Sequence, residues 1–175
     1  MDLINSNNTY EYLKKICDAH PKLYLTTAIR NKEFIDFFKD HKINVAVEIG
    51  TYKGMSTAYM ANFAEMVYTF DIKRQKAKYR IWKVLNLNKK IKAFNVKNRE
   101  EIVAILNELN FDFAFIDGSH LYEDVKADFD MVKKCGSVLF HDVGEHPEGR
   151  HDDIRRFISE LGNVEIMGNV GYWVC

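Results

Sequence analysis

Apolar positions along this chain change their period near residue 43. Before that point they recur at helical spacing. Tyr10, Leu13, Ile16 and Cys17 define one helix, with Thr9 placed as its N-cap and Pro21 closing it. A second helix is predicted from Thr26 or Thr27, carrying Ile29, Phe34, Ile35, Phe37 and Phe38. From residue 43 short apolar runs alternate with amphipathic segments. Strands are predicted to end near Ile49, Phe70, Asn95, Ile116 and Phe140, with helices near 54–65, 73–86, 99–109, 121–134 and 150–161. Five such units imply a parallel sheet, helices on both faces and right-handed crossovers. The run Phe111-Asp112-Phe113-Ala114-Phe115-Ile116 is almost wholly apolar, as a strand covered on both faces requires. The rhythm then breaks. Val164–Met167, a Gly168-Asn169 turn and Val170–Val174 read as an antiparallel hairpin.

Length and composition bound this α/β picture. The chain has 175 residues, 47% of them hydrophobic, enough for one substantial core. We divide it into a helical extension, 1–42, and an α/β domain, 43–175. Lys+Arg and Asp+Glu both number 25, so the formal charge is zero, which argues against charge-driven binding of nucleic acid or anionic membrane. A basic stretch from Lys73 to Lys92 is read as the solvated face of a helix whose other face holds Ala77, Ile81, Val84 and Leu85. Cys17, Cys135 and Cys175 are scattered, and no apolar run approaches the ~18–20 residues of a membrane span. These features predict a reduced, cytoplasmic protein.

Candidate chemistry begins where the first apolar run ends, in Val45-Ala46-Val47-Glu48-Ile49-Gly50-Thr51-Tyr52-Lys53-Gly54-Met55-Ser56-Thr57. Strand, glycine turn and helix in that order form a nucleotide-type cofactor site at the carboxyl end of a parallel strand. The turn lacks the three glycines of a dinucleotide fingerprint and the Gly-Lys-Ser/Thr of a P-loop. Glu48 can accept from an ammonium group. Backbone N–H groups from Gly50 to Gly54, and the Ser56 hydroxyl, can donate to a carboxylate. The second run, Met66–Phe70, ends in Asp71, placed to accept from ribose hydroxyls. An amino acid at one end and a ribose at the other describe S-adenosylmethionine.

The later strand ends carry Asp117-Gly118-Ser119-His120 and His141-Asp142-Val143. In a doubly wound sheet these gather at the edge that holds Gly50 and Asp71. Two carboxylates and two imidazoles suit a divalent cation, with no sharp choice between Mg²⁺ and others. A histidine there is equally suited to deprotonating a hydroxyl. His146 and His151, in the loop that follows, are read as surface residues.

Together the motifs VEIGTYKGMST (47–57), YTFDI (68–72), FDFAFIDGSHLYEDVKADF (111–129) and GSVLFHDV (136–143) resemble the class I S-adenosylmethionine-dependent methyltransferases. The group in question includes macrocin-type and catechol-type O-methyltransferases and cephalosporin-hydroxylase-like proteins. The resemblance implies a Rossmann-like seven-stranded sheet whose last strand is antiparallel. It implies that Glu48, Gly50, Thr51, Gly54 and Ser56 hold the methionine part of the cofactor, Asp71 the ribose, and Asn98 the adenine, with Asp117 beside them. It implies Asp117 and Asp142 as metal carboxylates, with His141 where relatives carry another acid, and His120 as the base. Val143 stands where catechol-type enzymes have an asparagine ligand. The expected activity is O-methylation of a small acceptor, of sugar or polyol type, with or without a metal. The short chain suggests an open site, with a homo-oligomer able to supply a lid. A non-catalytic binding module and an NAD-dependent oxidoreductase are the alternatives.

Overall fold

The computed structural model describes residues 6–25 and 27–175. Among the described residues seven strands form one sheet, β1 (Ile43–Ile49), β2 (Ala64–Asp71), β3 (Ile91–Asn95), β4 (Phe113–Ile116), β5 (Ser137–His141), β6 (Val164–Met167) and β7 (Val170–Val174), in the order β3-β2-β1-β4-β5-β7-β6. The first five are parallel, and β7 enters antiparallel between β5 and β6. The hairpin is as the sequence pattern predicts, and the Rossmann-like arrangement is as the resemblance implies.

Seven α-helices accompany the strands among the described residues: α1 (Ser6–Ala19), α2 (Lys32–Asp40), α3 (Met55–Met60), α4 (Ala77–Val84), α5 (Arg99–Asn107), α6 (Tyr122–Val132) and α7 (Asp152–Leu161). Side-chain alternation along the strands divides the core. Ala46, Val67, Phe113, Phe115 and Leu139 join α1 to α4 on one face. Val47, Phe70, Ala114, Ile116 and Phe140 join α5, α6 and α7 on the other. Helices α1 and α2 thus share a core with the sheet: Leu13, Cys17, Phe34 and Phe38 are buried with Tyr59 and Ala46.

Local departures from the predicted elements have physical causes. Thr9 is no N-cap. It lies inside α1, fully buried, and its hydroxyl donates to Asn62 Oδ1 at 3.0 Å. The second helix starts at Lys32, not at Thr27, which precedes a single 3₁₀ turn at Ala28–Arg30; Thr26 lies outside the described residues. There the Arg30 guanidinium donates to the carbonyls of Cys17 and Tyr24, which ties the turn to the end of α1. Helix α3 stops at Met60, because Ala64 already pairs with Ile43 in the parallel ladder. In α4 the inner face is Lys78, Ile81, Trp82 and Leu85, while Ala77 and Val84 are exposed. The helix is rotated so that Trp82 packs under the glycine turn, its Nε1–H donating to Gly54 O at 2.8 Å. Lys78 is carried inward with it and is 1% exposed. Burial pulls its ammonium below the usual lysine range, against the opposing pull of Asp71 and Glu48.

Candidate active site

Sheet order reverses between β1 and β4, and the cleft opens at that switch point. Register explains the gathering. Ile49 pairs with Phe70 and Ile116, Asp71 with Asn95, and Ile116 with Phe140, so Gly50, Asp71, Asp117 and Asp142 emerge at one edge. The cleft has a volume of about 590 Å³ and is lined by residues 49–56, 70–73, 96–99 and 117–120, with Thr27, Asp142 and side chains of α5 and α6. That size lies within the ~300–1,000 Å³ of small-molecule sites.

The glycine turn is built by close approach. Gly50 has φ +99°, and a Cβ there would lie 2.2 Å from Asp117 O. Gly54, at φ +71°, would put a Cβ 2.6 Å from the Trp82 ring. Thr51 lines the cleft while its hydroxyl bonds that of Thr69 at 2.6 Å. Glu48 stands beneath the turn, fully buried and outside the cleft wall. Its carboxylate accepts from the hydroxyls of Ser56, Thr57 and Thr69, each at 2.5 Å. Ser56 borders the cleft but directs its proton inward to Glu48. Both residues therefore act on the shape of the turn.

Burial pushes Glu48 up to about 7; the three hydroxyl bonds oppose this, and the charge of Asp117 adds to it. An acid whose pKa is raised by folding contributes stability below its unfolded value of 4.5 and loses it as pH rises through 7. Glu48→Gln removes that loss. Thermal melts of the variant and the parent are expected to diverge in favour of Gln between pH 5 and 8, by about 3 kcal/mol. A pH-independent difference would show that Glu48 does not titrate in this range.

Asp71 projects into the cleft, and its two oxygens accept from Tyr52 N and Lys73 N, both at 2.6 Å. A carboxylate offers about four lone-pair sites, so one on each oxygen remains for a diol. Asn98 also lines the cleft, and its side chain caps α5 by accepting from Glu101 N at 3.1 Å. Opposite, the Arg99 guanidinium donates to Asp128 and Asp124 at 2.8 and 2.9 Å, and Ser119 donates to Asp124 at 2.7 Å. This network fixes the loop from Asp117 to His120 against α5 and α6, and nothing in the sequence pattern singles out its members.

At the far end stand the acids and imidazoles. His120 Nε2 lies 3.2 Å from Asp142 Oδ2. Asp142 adopts φ +57°, a left-handed conformation held by the hairpin turn: Asn169 Nδ2 donates to Asp142 Oδ1 at 2.8 Å, and Gly144 N donates to Asn169 Oδ1 at 3.0 Å. Burial disfavours the Asp142 anion, but the His120 hydrogen bond, the His141 charge and the Asn169 amide hold it at about 2. The bond to Asp142 raises His120 above the usual imidazole value, against its partial burial. His141 is buried, with Nδ1 2.9 Å from Asp117 Oδ1 and Nε2 3.1 Å from Asn31 Oδ1. Burial alone would depress its pKa; Asp117 and Asp142 reverse that and leave it raised. His151, expected at the surface, is half-buried here, with Nε2 3.7 Å from Asp142 Oδ1.

The sequence profile of the methyltransferase-domain family matches residues 47–143, a span that runs from the turn strand to Val143. The chain belongs to this family. It is an S-adenosylmethionine-dependent methyltransferase. No curated protein matches it. Among solved structures, this methyltransferase resembles an O-methyltransferase from Bacillus cereus in complex with S-adenosylhomocysteine at 19% identity, covering 95% of this chain and 90% of that one, with a TM-score of 0.69. It resembles the O-methyltransferase TomG of tomaymycin synthesis from Streptomyces achromogenes, in complex with S-adenosylmethionine, at 18% identity, covering 99% of each chain, with a TM-score of 0.70. An S-adenosylhomocysteine-bound methyltransferase from Podospora anserina gives 16% identity, 97% and 88% coverage and a TM-score of 0.63. At these identities the likeness is one of fold.

A cation set of Asp117, His141 and Asp142 has ligand atoms within 4.8 Å of one another, a spacing that would admit an ion. Both ring nitrogens of His141 are hydrogen-bonded inside the protein, however, and occupation by an ion would break one of those bonds at a buried imidazole. That donor set fits a cation poorly. Among the described residues no helix is long and apolar enough to cross a membrane.

Proposed function

We propose that this methyltransferase moves the methyl group of S-adenosylmethionine to a hydroxyl oxygen of a polar small molecule of the sugar or polyol kind. The observation that carries the reading is one continuous cleft running from Asp71 and the glycine turn to the His120–Asp142 pair. Asp71 accepts the ribose hydroxyls. Gly50, Thr51 and Gly54 shape the methionine end, with Glu48 and Ser56 supporting them from below, and Asn98 borders the adenine. Asp117 closes the floor beside Gly50. We assign residues 1–42 as the extension that walls the acceptor end, through Thr27, and 43–175 as the methyltransferase domain. The three free thiols suit a reducing compartment, and the cytoplasm is the site of action we propose.

The cofactor supplies an electrophilic methyl on a sulfonium. The protein has two tasks: to hold the acceptor oxygen in line and to take its proton. Orientation of this kind is worth up to about 7–11 kcal/mol. The His120 Nε2–H is directed to Asp142, which leaves Nδ1 as the nitrogen that would receive the acceptor's proton.

Asp71→Ala tests the reading. Two charge-assisted hydrogen bonds at about 1.5–3 kcal/mol each put the expected loss at 100-fold or more in S-adenosylhomocysteine affinity, read by calorimetry. Unchanged affinity would remove Asp71 from the cofactor site. Failure of the parent protein to bind either cofactor form would end the transferase reading.

A further inference from the structure

We propose that His120, Asp142 and His151 form a site for a borderline transition-metal ion of the Zn²⁺ or Co²⁺ class, and that this ion and the proton-accepting role of His120 exclude one another. The inference rests on the reading of His120 as base.

The three residues offer ligand atoms within 4.8 Å of one another. His120 Nε2 is 3.2 Å from Asp142 Oδ2, and His151 Nε2 is 3.7 Å from Asp142 Oδ1. Ligands at ~2.0–2.1 Å in a tetrahedron stand about 3.3 Å apart, close to the separations of the two imidazoles from the Asp142 carboxylate, one to each oxygen. The imidazole rings of His120 and His151 are neighbours, with centroids 5.5 Å apart and planes inclined at 75°.

Support around the ligands is of the kind metal sites use. His151 Nδ1 lies 3.0 Å from Gly144 O. A carbonyl can only accept, so Nδ1 carries the proton and Nε2 presents its lone pair towards Asp142. Asn169 fixes Asp142 by donating to Oδ1. His120 and Asp142 border the cleft, and His151 is not among its lining residues. Two nitrogens and one carboxylate select Zn²⁺, Co²⁺ or Fe²⁺ over the all-oxygen preference of Mg²⁺.

Exclusion follows from the ring's protons. A neutral imidazole that ligates through Nε2 holds its proton on Nδ1, the nitrogen assigned to receive the substrate proton. A loaded site therefore has no base at His120.

Co²⁺ is the probe, since imidazole ligation shows directly in its visible spectrum. The parent protein is expected to bind one Co²⁺ with a ligand-field band and to give no calorimetric signal with Mg²⁺ at the same concentration. His151→Gln, which keeps a donor for Gly144 O, is expected to lose Co²⁺ affinity at least tenfold while S-adenosylhomocysteine binding stays intact. Its transfer rate in the presence of a chelator should match the parent's, and added Co²⁺ should slow the parent far more than the variant. No Co²⁺ binding, equal binding by the two proteins, or Mg²⁺ binding of equal strength would overturn the site. A parent rate unaffected by bound Co²⁺ would overturn the exclusion. Cofactor binding in the same samples reports the transferase reading separately, and His151→Asn serves as a second variant if His151→Gln melts early.

Discussion

Gly50→Ala is expected to cost the fold about 2–6 kcal/mol and to abolish measurable cofactor binding. Two effects add. The backbone at Gly50 has φ +99°, a conformation that costs a residue with a Cβ about 1–3 kcal/mol. The added methyl would also meet Asp117 O at 2.2 Å, Asp117 C at 2.5 Å and Gly118 N at 2.8 Å. All three are backbone atoms at the end of β4, and flanking hydrogen bonds hold both chains in place: Gly50 N donates to Phe70 O and Asp117 N to Ile49 O, each at 2.9 Å. Relief therefore requires β1 and β4 to part at the switch point, where the cleft floor lies. Such overpacking adds about 1–3 kcal/mol. For a domain of this size the combined loss lowers the melting temperature by about 10 °C. Gly136→Ala is the control. Its φ is +75°, but an added Cβ would meet only Cys175 Cβ at 3.9 Å, so conformational strain acts alone, at about 1–2 kcal/mol. Equal melting temperatures for the two variants would mean that the turn gives way without cost and that the contact with Asp117 is unimportant.

The strand ends were legible because each marks its boundary twice. Ile49, Phe70, Ile116 and Phe140 close apolar runs, and polar or glycine residues follow immediately. A buried parallel strand must be apolar until it leaves the core, so the pattern reports both the strand and the edge where chemistry gathers. The hairpin was equally plain from its Gly168-Asn169 turn.

Roles set by a third element were not legible. Glu48 reads as a ligand for an ammonium group until Ser56, Thr57 and Thr69 are seen to converge on it, and their convergence depends on how α3 and β2 pack. Lys78 reads as one cation of a solvated face, yet lies inside because Trp82 sets the rotation of α4. Asn169 reads as turn chemistry alone, although its amide orients Asp142. His151 gave no signal beyond its place before α7. Its ring reaches the site because the loop from Gly144 folds back and the Gly144 carbonyl meets it. In each case the residue type was visible and the packing that fixes its role was not.

His120→Ala is expected to lower the transfer rate by 10²–10⁴ while leaving S-adenosylhomocysteine affinity unchanged. The factor is that of a positioned general base. The side chain is 35% exposed on the cleft side and anchored by Asp142 on the other, as a group that must meet both solvent and substrate requires. Asp142 meets the Nε2 side of the ring, not the Nδ1 assigned to the proton. Its loss should act through the imidazole: Asp142→Asn keeps the shape but turns an acceptor into an amide that can donate, removing the charge that directs the His120 Nε2–H inward. The two variants therefore separate touching the proton from positioning the group that touches it. Added imidazole should restore part of the rate in His120→Ala, where a cavity opens onto the cleft, and none in Asp142→Asn, where the ring still fills it. The assay follows release of S-adenosylhomocysteine with hydroxylated small molecules as acceptors, and the change should fall on kcat more than on KM. If His120→Ala turned over at the parent rate, the proton would leave by another route and the His120–Asp142 pair would be structural.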